Sequence, residues 1–322
     1  MIPRRDELTI CFAHPVYDLQ TCFEKRDTGI RSFQVWDGEE LGRRAAEADI
    51  LVISGLWRDD LLDQAPKLRF VQSISAGVDQ YPKDLLAARG IPLASARGVN
   101  ARAVSDHAFG LILTLTRRLA EAHDEQARHV WRGMGADPSK REDELGDKTL
   151  LVVGLGAIGD RIAKLGRAFD MRVLGIRRDP SAGAGQADAV YGMDAFESLL
   201  PETDIVVLAC PLTKETANLV NARTLGLMKD TAYLVNVARG GCVDEDALSD
   251  ALTTGQIAGA AIDVAVEEPL PASSKLWDLP NLFITSHTGG ETRRYEDNVV
   301  DTLMDNLDRL WRGEASLRNQ VV

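Results

Sequence analysis

The chain alternates short apolar runs with polar stretches. A first series of runs reads LTICFA (8–13), ILVIS (50–54), RFVQSI (69–74) and IPLA (91–94). A second reads TLLVVG (149–154), MRVLGI (171–176), DIVVLAC (204–210), AYLVNV (232–237), GAAIDV (259–264) and LFITS (282–286). Each run is nearly continuous in apolar residues instead of alternating. Strands covered on both faces, as in a parallel sheet, have this composition. Helical stretches lie between the runs, among them 158–169 and 244–253. The pattern predicts an α/β fold with parallel sheets.

Residues 104–130 read as one long helix rich in Ala, Leu, Glu and Arg, with Ser105 and Asp106 placed to cap its start. RGMGADPSKREDELGDK (132–148) is polar and turn-rich, a linker or an extended arm. Residues 291–312 are helical again and can return the chain to the first domain. These features predict one domain from 1–103 plus 292–322 and a second from 104–291.

Composition narrows the classes. A chain of 322 residues favours two domains, and 45% hydrophobic with 27% charged residues is ordinary for a globular protein. A formal charge of −12 argues against nucleic acid or an anionic membrane as partner. It leaves a small anionic substrate open, because such a ligand feels only its pocket. The longest apolar run, HAFGLILTLT (107–116), falls short of the roughly 20 residues a membrane span needs. No signal peptide is evident at the N-terminus. Cys11, Cys22, Cys210 and Cys242 are scattered without C-x-x-C spacing, so neither a metal site nor a disulfide framework is expected. A cytoplasmic location is expected.

Gly154, Gly156 and Gly159 spell G-x-G-x-x-G, with Ala157 and Ile158 inside the turn. In a dinucleotide-binding fold the first glycine permits the tight turn and the second lets the backbone approach a pyrophosphate. The third allows helix to pack on strand. The motif alone is weak; the strand before it, the helix after it and the second strand at 171–176 strengthen it. An acidic residue that receives the ribose hydroxyls of NAD is expected about 20 residues downstream. Arg177 stands there, 23 residues after Gly154. Arginine cannot accept a hydrogen bond from a hydroxyl but binds phosphate well. The 2′-phosphate of NADP supplies such a partner, so NADP is favoured, with Arg178 as a second donor. Asp179 keeps NAD open.

Three later segments end apolar strands with ionisable residues: Arg239, then Asp263 with Glu267 and Glu268, then His287. In open α/β sheets ligands bind beyond the carboxyl ends of the strands, so all three can serve one cleft. A 2-keto acid needs its carboxylate held and its carbonyl polarised, which suits arginine. It needs a proton as it is reduced, which suits histidine. A carboxylate beside that histidine would orient it and raise its pKa.

GLGAIG, CPLTKETANLVNARTLGLMKDTAYLVNVARGGCVDEDAL, DVAVEEPLP and SHTGG together resemble the D-isomer-specific 2-hydroxyacid dehydrogenases over most of residues 50–300. The resemblance implies two doubly wound parallel-sheet domains, a Rossmann-type cofactor domain inserted into a flavodoxin-like substrate domain. It implies a catalytic trio of Arg239, Glu268 and His287, with the glutamate before proline chosen over Glu267. It implies that Asp263 binds the nicotinamide amide. Pro211, Val237, Ala238 and Gly289 stand at further cofactor positions. SISAGVDQYP (73–82) resembles the family's substrate loop, where backbone N–H groups around Ala76, Gly77 and Val78 hold the carboxylate. Leu56 or Trp57 lines the side-chain pocket; plain packing of Trp57 is an equal alternative. The family often carries a bulky aromatic where this chain has Ala265. The resemblance also implies a homodimer built through the long helix and its arm.

The reading is an NAD(P)-dependent reductase of a small 2-keto acid, glyoxylate or hydroxypyruvate favoured. Two alternatives stand beside it: a family member acting on a bulkier 2-keto acid, and a non-catalytic nucleotide-sensing protein of corepressor type. His107, His123 and His129 are expected to pack or to lie on the surface, and His14 to approach the cleft at most. Cys210 is expected to be a packing residue, not a redox thiol.

Overall fold

The computed structural model describes residues 2–138 and 141–322. The described residues form two compact units, one of residues 2–100 with 292–322 and one of residues 101–138 with 141–291. Residues 139 and 140 of the expected arm lie outside the described set.

The first unit holds five parallel strands: β1 (Thr9–Ala13), β2 (Arg31–Val35), β3 (Ile50–Ile53), β4 (Phe70–Ser73) and β5 (Leu93–Ala94). Their spatial order is β2-β1-β3-β4-β5, which is the flavodoxin-like order. The apolar runs are continuous because both faces of the sheet are covered. Along β3, Ile50 and Val52 enter one buried cluster while Leu51 and Ile53 enter the other. The C-terminal helix Tyr295–Arg312 covers one face with Val299, Val300, Leu303 and Leu307. Its buried Asn306 donates to Gln72 Oε1 (2.9 Å) and accepts from the Arg318 N–H (2.7 Å), so this polar pair carries little penalty.

The second unit holds seven parallel strands: β6 (Thr149–Val153), β7 (Arg172–Ile176), β8 (Ala189–Tyr191), β9 (Ile205–Leu208), β10 (Tyr233–Asn236), β11 (Gly259–Ile262) and β12 (Leu282–Ile284). Their order is β12-β11-β10-β9-β6-β7-β8, the doubly wound Rossmann arrangement with an added strand. Here too the alternation splits each strand between two cores: Ile205 and Val207 face one, Val206 and Leu208 the other.

The helix expected over 104–130 is two helices, Ala101–Thr116 and Leu119–Ala127, broken where Arg118 takes φ 51. The first begins before Ser105, so neither proposed cap acts as one. Ser105 is buried within the helix and bonds back to Arg102 O (2.9 Å), and Asp106 pairs with Arg161. Among the described residues, no helix is long and apolar enough to cross a membrane.

Candidate active site

The loops leaving the carboxyl edge of the seven-stranded sheet carry the chemistry. Gly154 follows β6, Arg177 follows β7, Pro211 follows β9, Val237 to Arg239 follow β10, Asp263 follows β11 and His287 follows β12. The strand order reverses direction between β6 and β9, and crevices at such switch points are where doubly wound sheets bind ligands. Arg177 lies one strand to one side of β6. Arg239, Asp263 and His287 lie two, three and four strands to the other.

The three glycines of the turn are required for different reasons. Gly154 has φ +100, and a Cβ there would sit 2.7 Å from Cys210 Cα and 2.8 Å from Ala209 O. A Cβ on Gly159 would sit 2.0 Å from Gly154 O, because the helix Ala157–Ala168 presses on the strand. Gly156, the N-cap of that helix, has nothing within 4 Å of the missing Cβ. The fold itself makes no use of a glycine at 156. The open space suits an external group approaching the backbone, and the helix N-terminus favours an anion there. These residues fit a dinucleotide pyrophosphate.

Arg177 is half-buried; its backbone N–H donates to Tyr191 O (3.1 Å) and its Nη1 to Gly183 O (3.0 Å). Arg178 beside it is exposed. Asp179 caps the next turn: its Oδ1 accepts from the Ser181 hydroxyl (2.6 Å) and the Ser181 N–H (3.0 Å). Those bonds hold its carboxyl below the usual aspartate range. Pro211 is exposed, its carbonyl accepting from Thr216 Oγ1 (2.7 Å). Val237 and Ala238 are buried, with the Ala238 N–H donating to Asn236 Oδ1 (3.0 Å).

At the other end, His287 Nδ1 lies 2.7 Å from Glu268 Oε2, and the Ala265 N–H donates to Glu268 Oε1 (3.0 Å). Burial pushes the Glu268 carboxyl up. The hydrogen bonds from His287 and Ala265 and the charges of His287 and Arg239 outweigh it, and the value falls below the ordinary one. Arg239 is exposed and spends one donor on Ala238 O (2.6 Å). Gly240 explains why the two loops meet: a Cβ there would lie 2.0 Å from the Ala265 backbone, so the loop bearing Glu268 seats directly on the turn after Arg239. A pocket of about 450 Å³ adjoins the pair, lined by Ala265, Glu268, Leu270, Trp277, Ile284 and His287. The small residue at 265 borders it.

Asp263 is 4% exposed and faces inward. Its Oδ1 accepts from Thr285 Oγ1 (2.6 Å) and the Thr288 N–H (3.0 Å), its Oδ2 from the Gly289 N–H (2.9 Å), and its carbonyl from the His287 N–H (2.7 Å). His107 Nε2 stands 2.9 Å from Thr285 Oγ1 and 3.3 Å from Asp263 Oδ1. Burial raises the Asp263 carboxyl, and the bonds from His107, Thr285 and Gly289 more than offset it. A carboxylate offers about four lone-pair sites, so one on Oδ2 is left for an amide. The sequence reading missed His107 and Thr285; His107 is neither a packing nor a surface histidine.

In the first unit, the segment after β4 leaves Ala76 and Gly77 exposed and Val78 half-buried. Nothing lies within 4 Å of the absent Gly77 Cβ, and Ser54 Oγ bonds Ser75 Oγ (2.5 Å), tying this loop to the one after β3. Trp57 packs on Tyr81 with ring centroids 4.9 Å apart, and its Nε1 donates to Asp59 Oδ1 (3.1 Å). His14 Nδ1 accepts from the N–H groups of Val16 (3.1 Å) and Tyr17 (3.0 Å), which fixes it as a neutral loop cap, and burial lowers its pKa. His123 and His129 are exposed. The Cys210 thiol is pushed up by its bond to Cys242 and by burial, as befits a packing residue.

Residues 109–289 match the family model described as D-isomer specific 2-hydroxyacid dehydrogenase, NAD binding domain. Glyoxylate/hydroxypyruvate reductase B of Pectobacterium carotovorum subsp. carotovorum is 36% identical over 272 residues, covering 84% of each chain. Glyoxylate reductase of Pyrococcus furiosus is 35% identical over 294 residues, covering 87% of this chain and 86% of that one. A D-isomer specific 2-hydroxyacid dehydrogenase family protein from Aeromonas salmonicida subsp. salmonicida superposes with TM-score 0.83 at 31% identity, over 98% of this chain and 99% of that one.

Proposed function

Because the chain belongs to the D-isomer specific 2-hydroxyacid dehydrogenase family, and is thus an oxidoreductase acting on the CH–OH group of 2-hydroxy acids, we propose that it reduces glyoxylate or hydroxypyruvate with NADPH. The observation that carries the chemistry is the 2.7 Å contact between His287 Nδ1 and Glu268 Oε2. An ionised Glu268 fixes the imidazole by its Nδ1–H and leaves Nε2 to face the substrate. Nε2–H then gives its proton to the alkoxide that develops at the keto oxygen; in the reverse direction Nε2 takes the proton from the hydroxyl. Arg239 has five donors and spends one within the chain. The others bind the substrate carboxylate and polarise the carbonyl. The bound nicotinamide supplies the hydride.

Gly154, Gly156, Ala157, Ile158 and Gly159 hold the pyrophosphate. Pro211, Val237, Ala238, Asp263 and Gly289 complete the cofactor site. Arg177 and Arg178 receive the 2′-phosphate; the capping role of Asp179 supports NADP over NAD. Ala76, Gly77 and Val78 offer backbone N–H groups to the substrate carboxylate. Trp57 borders the substrate side chain. Two relatives named for glyoxylate reduction support the substrate class.

A homodimer is part of this reading. Leu119, Val130, Trp131 and Met134 are 50%, 52%, 98% and 104% exposed on the arm and its helix, an apolar patch suited to a second copy.

The test is loss of reduced-cofactor absorbance with NADPH or NADH and a panel of 2-keto acids, from glyoxylate to branched and aromatic ones. Turnover is expected to be fastest with glyoxylate or hydroxypyruvate and NADPH. Preference for a bulky 2-keto acid would refute the substrate assignment, and preference for NADH would refute the cofactor assignment.

A further inference from the structure

We propose that His107 is a positioning residue for proton transfer: through Thr285 and Asp263 it holds the backbone turn that presents His287. The inference rests on the reading of His287 as the proton donor.

The turn needs holding. His287 has φ 54, a left-handed conformation unfavourable for a residue with a side chain. What keeps it there is Asp263, which binds the N–H groups of His287, Thr288 and Gly289 in succession. The backbone carbonyl of Asp263 holds the His287 N–H, and its buried carboxylate holds the next two, so one residue fixes three consecutive peptide groups around the proposed proton donor. Asp263 itself must be fixed for this to work.

His107 supplies that anchor, and the hydrogen-bond inventory sets its tautomer. Thr285 Oγ1 gives its proton to Asp263 Oδ1 at 2.6 Å. Its oxygen therefore accepts from His107 Nε2 at 2.9 Å, so Nε2 carries a hydrogen. That hydrogen also faces Asp263 Oδ1 at 3.3 Å. The contact is tight on all sides: a Cβ on Gly289 would come within 2.7 Å of Asp263 Oδ2 and 3.0 Å of His107 Cδ2. His107 stands on the helix Ala101–Thr116, whose Ala108, Leu111 and Ile112 are buried in the core of the same unit. The helix thereby tethers the turn after β12, 178 residues downstream. The proposed proton transfer involves His287 and not His107, which acts through Asp263 and Thr285.

The experiment compares His107→Phe, His107→Gln and Thr285→Val with the wild type, by steady-state kinetics and by amide hydrogen exchange of the segment 285–290 without substrate. His107→Phe removes the donor, while the glutamine offers one back. With His107→Phe, kcat is expected to fall about tenfold while the NADPH Kd changes less than about threefold, and exchange is expected to quicken about tenfold. His107→Gln should recover most of both losses, and Thr285→Val should reproduce them. Wild-type exchange in the phenylalanine variant, or no recovery with glutamine, overturns the proposal. If the phenylalanine variant does not fold, as seen by circular dichroism, Thr285→Val carries the same two readings. If the wild type turns over no 2-keto acid, the functional reading fails, while the exchange comparison still decides whether His107 holds the turn.

Discussion

Replacing Arg177 by alanine removes the side chain after β7 that is proposed to receive the 2′-phosphate of NADPH. Its guanidinium is partly oriented already, since Nη1 is bonded to Gly183 O at 3.0 Å and the backbone N–H to Tyr191 O at 3.1 Å. A hydrogen bond to a charged group contributes about 1.5–3 kcal/mol, or about 10- to 150-fold in affinity. Arg177 is half-buried and Arg178 remains beside it, so the lower end applies. The NADPH KM should rise about 10- to 30-fold, with the NADH KM within about twofold of the wild type. Arg177→Asp should go further, adding repulsion of the 2′-phosphate and an acceptor for the ribose hydroxyls. Asp179 has Oδ1 engaged by Ser181, which leaves only Oδ2 to compete for that acceptor role. The assay is initial-rate kinetics with each cofactor at saturating glyoxylate, repeated at raised salt to expose the electrostatic part. Equal changes in the two KM values, or none, would refute the reasoning, because the 2′-phosphate is the sole difference between the ligands.

Glu268→Gln should lower kcat about 100-fold, since the imidazole loses its charged partner. Glu268 is held below its ordinary value. The pair is therefore intact above the unfolded value near pH ~4.3 and is lost only as pH falls through the lowered one. An acid limb of kcat/KM at or above that ordinary value, absent in the glutamine variant, would contradict this. Asp263→Asn should reduce Tm by roughly 4–8 °C at neutral pH, because its amide cannot accept from the Gly289 N–H. The Asp263 carboxyl is lowered in the fold, so its contribution is present above about pH 3.9 and lost as pH falls through the folded value. Melting curves from pH 3 to 8 should show the gap between the two proteins closing at the acid end. Gly154→Ala should destabilise by about 3 kcal/mol, because it combines φ +100 with contacts of 2.7–2.8 Å to backbone that cannot yield; an unchanged denaturant midpoint would refute that.

The interior strands were legible in the sequence because two covered faces leave no room for polar alternation. Of the four edge strands, β5 and β12 were legible as IPLA and LFITS, but β2 and β8 were not. β2 reads RSFQV and its burial alternates from exposed to buried, so it carries no continuous apolar run. β8 is three half-buried residues at the opposite edge of the other sheet. The helix break at Arg118 was equally hidden, since neither glycine nor proline marks it. Before the break the first helix is anchored by Leu111, Ile112 and Thr116, whereas Leu119–Ala127 buries nothing and Arg118 Nε bonds Glu121 Oε2 at 2.6 Å.

Position and role were not equally readable at the site. Parallel strands put all their carboxyl ends on one edge, so a charged residue closing an apolar run declares its place without any knowledge of its neighbours. The strand ends left Glu267 and Glu268 both open; the family resemblance singled out Glu268 as the partner of His287, and the two meet at 2.7 Å. The work of Asp263 depends instead on which atoms fill its lone pairs. Those donors come from 22 to 26 positions downstream and, through Thr285, from a helix near residue 107. No local pattern encodes them. A carboxylate assigned outward to a cofactor proves to face mostly inward, and the strained backbone of His287 supplies the reason. The bonds that Asp263 makes to the turn, two from its carboxylate and one from its carbonyl, hold the histidine at φ 54, the conformation in which its Nδ1 meets Glu268. The imidazole proposed as proton donor is therefore held by two acidic residues with separate tasks: Glu268 orients the ring, and Asp263 fixes the peptide groups that carry it.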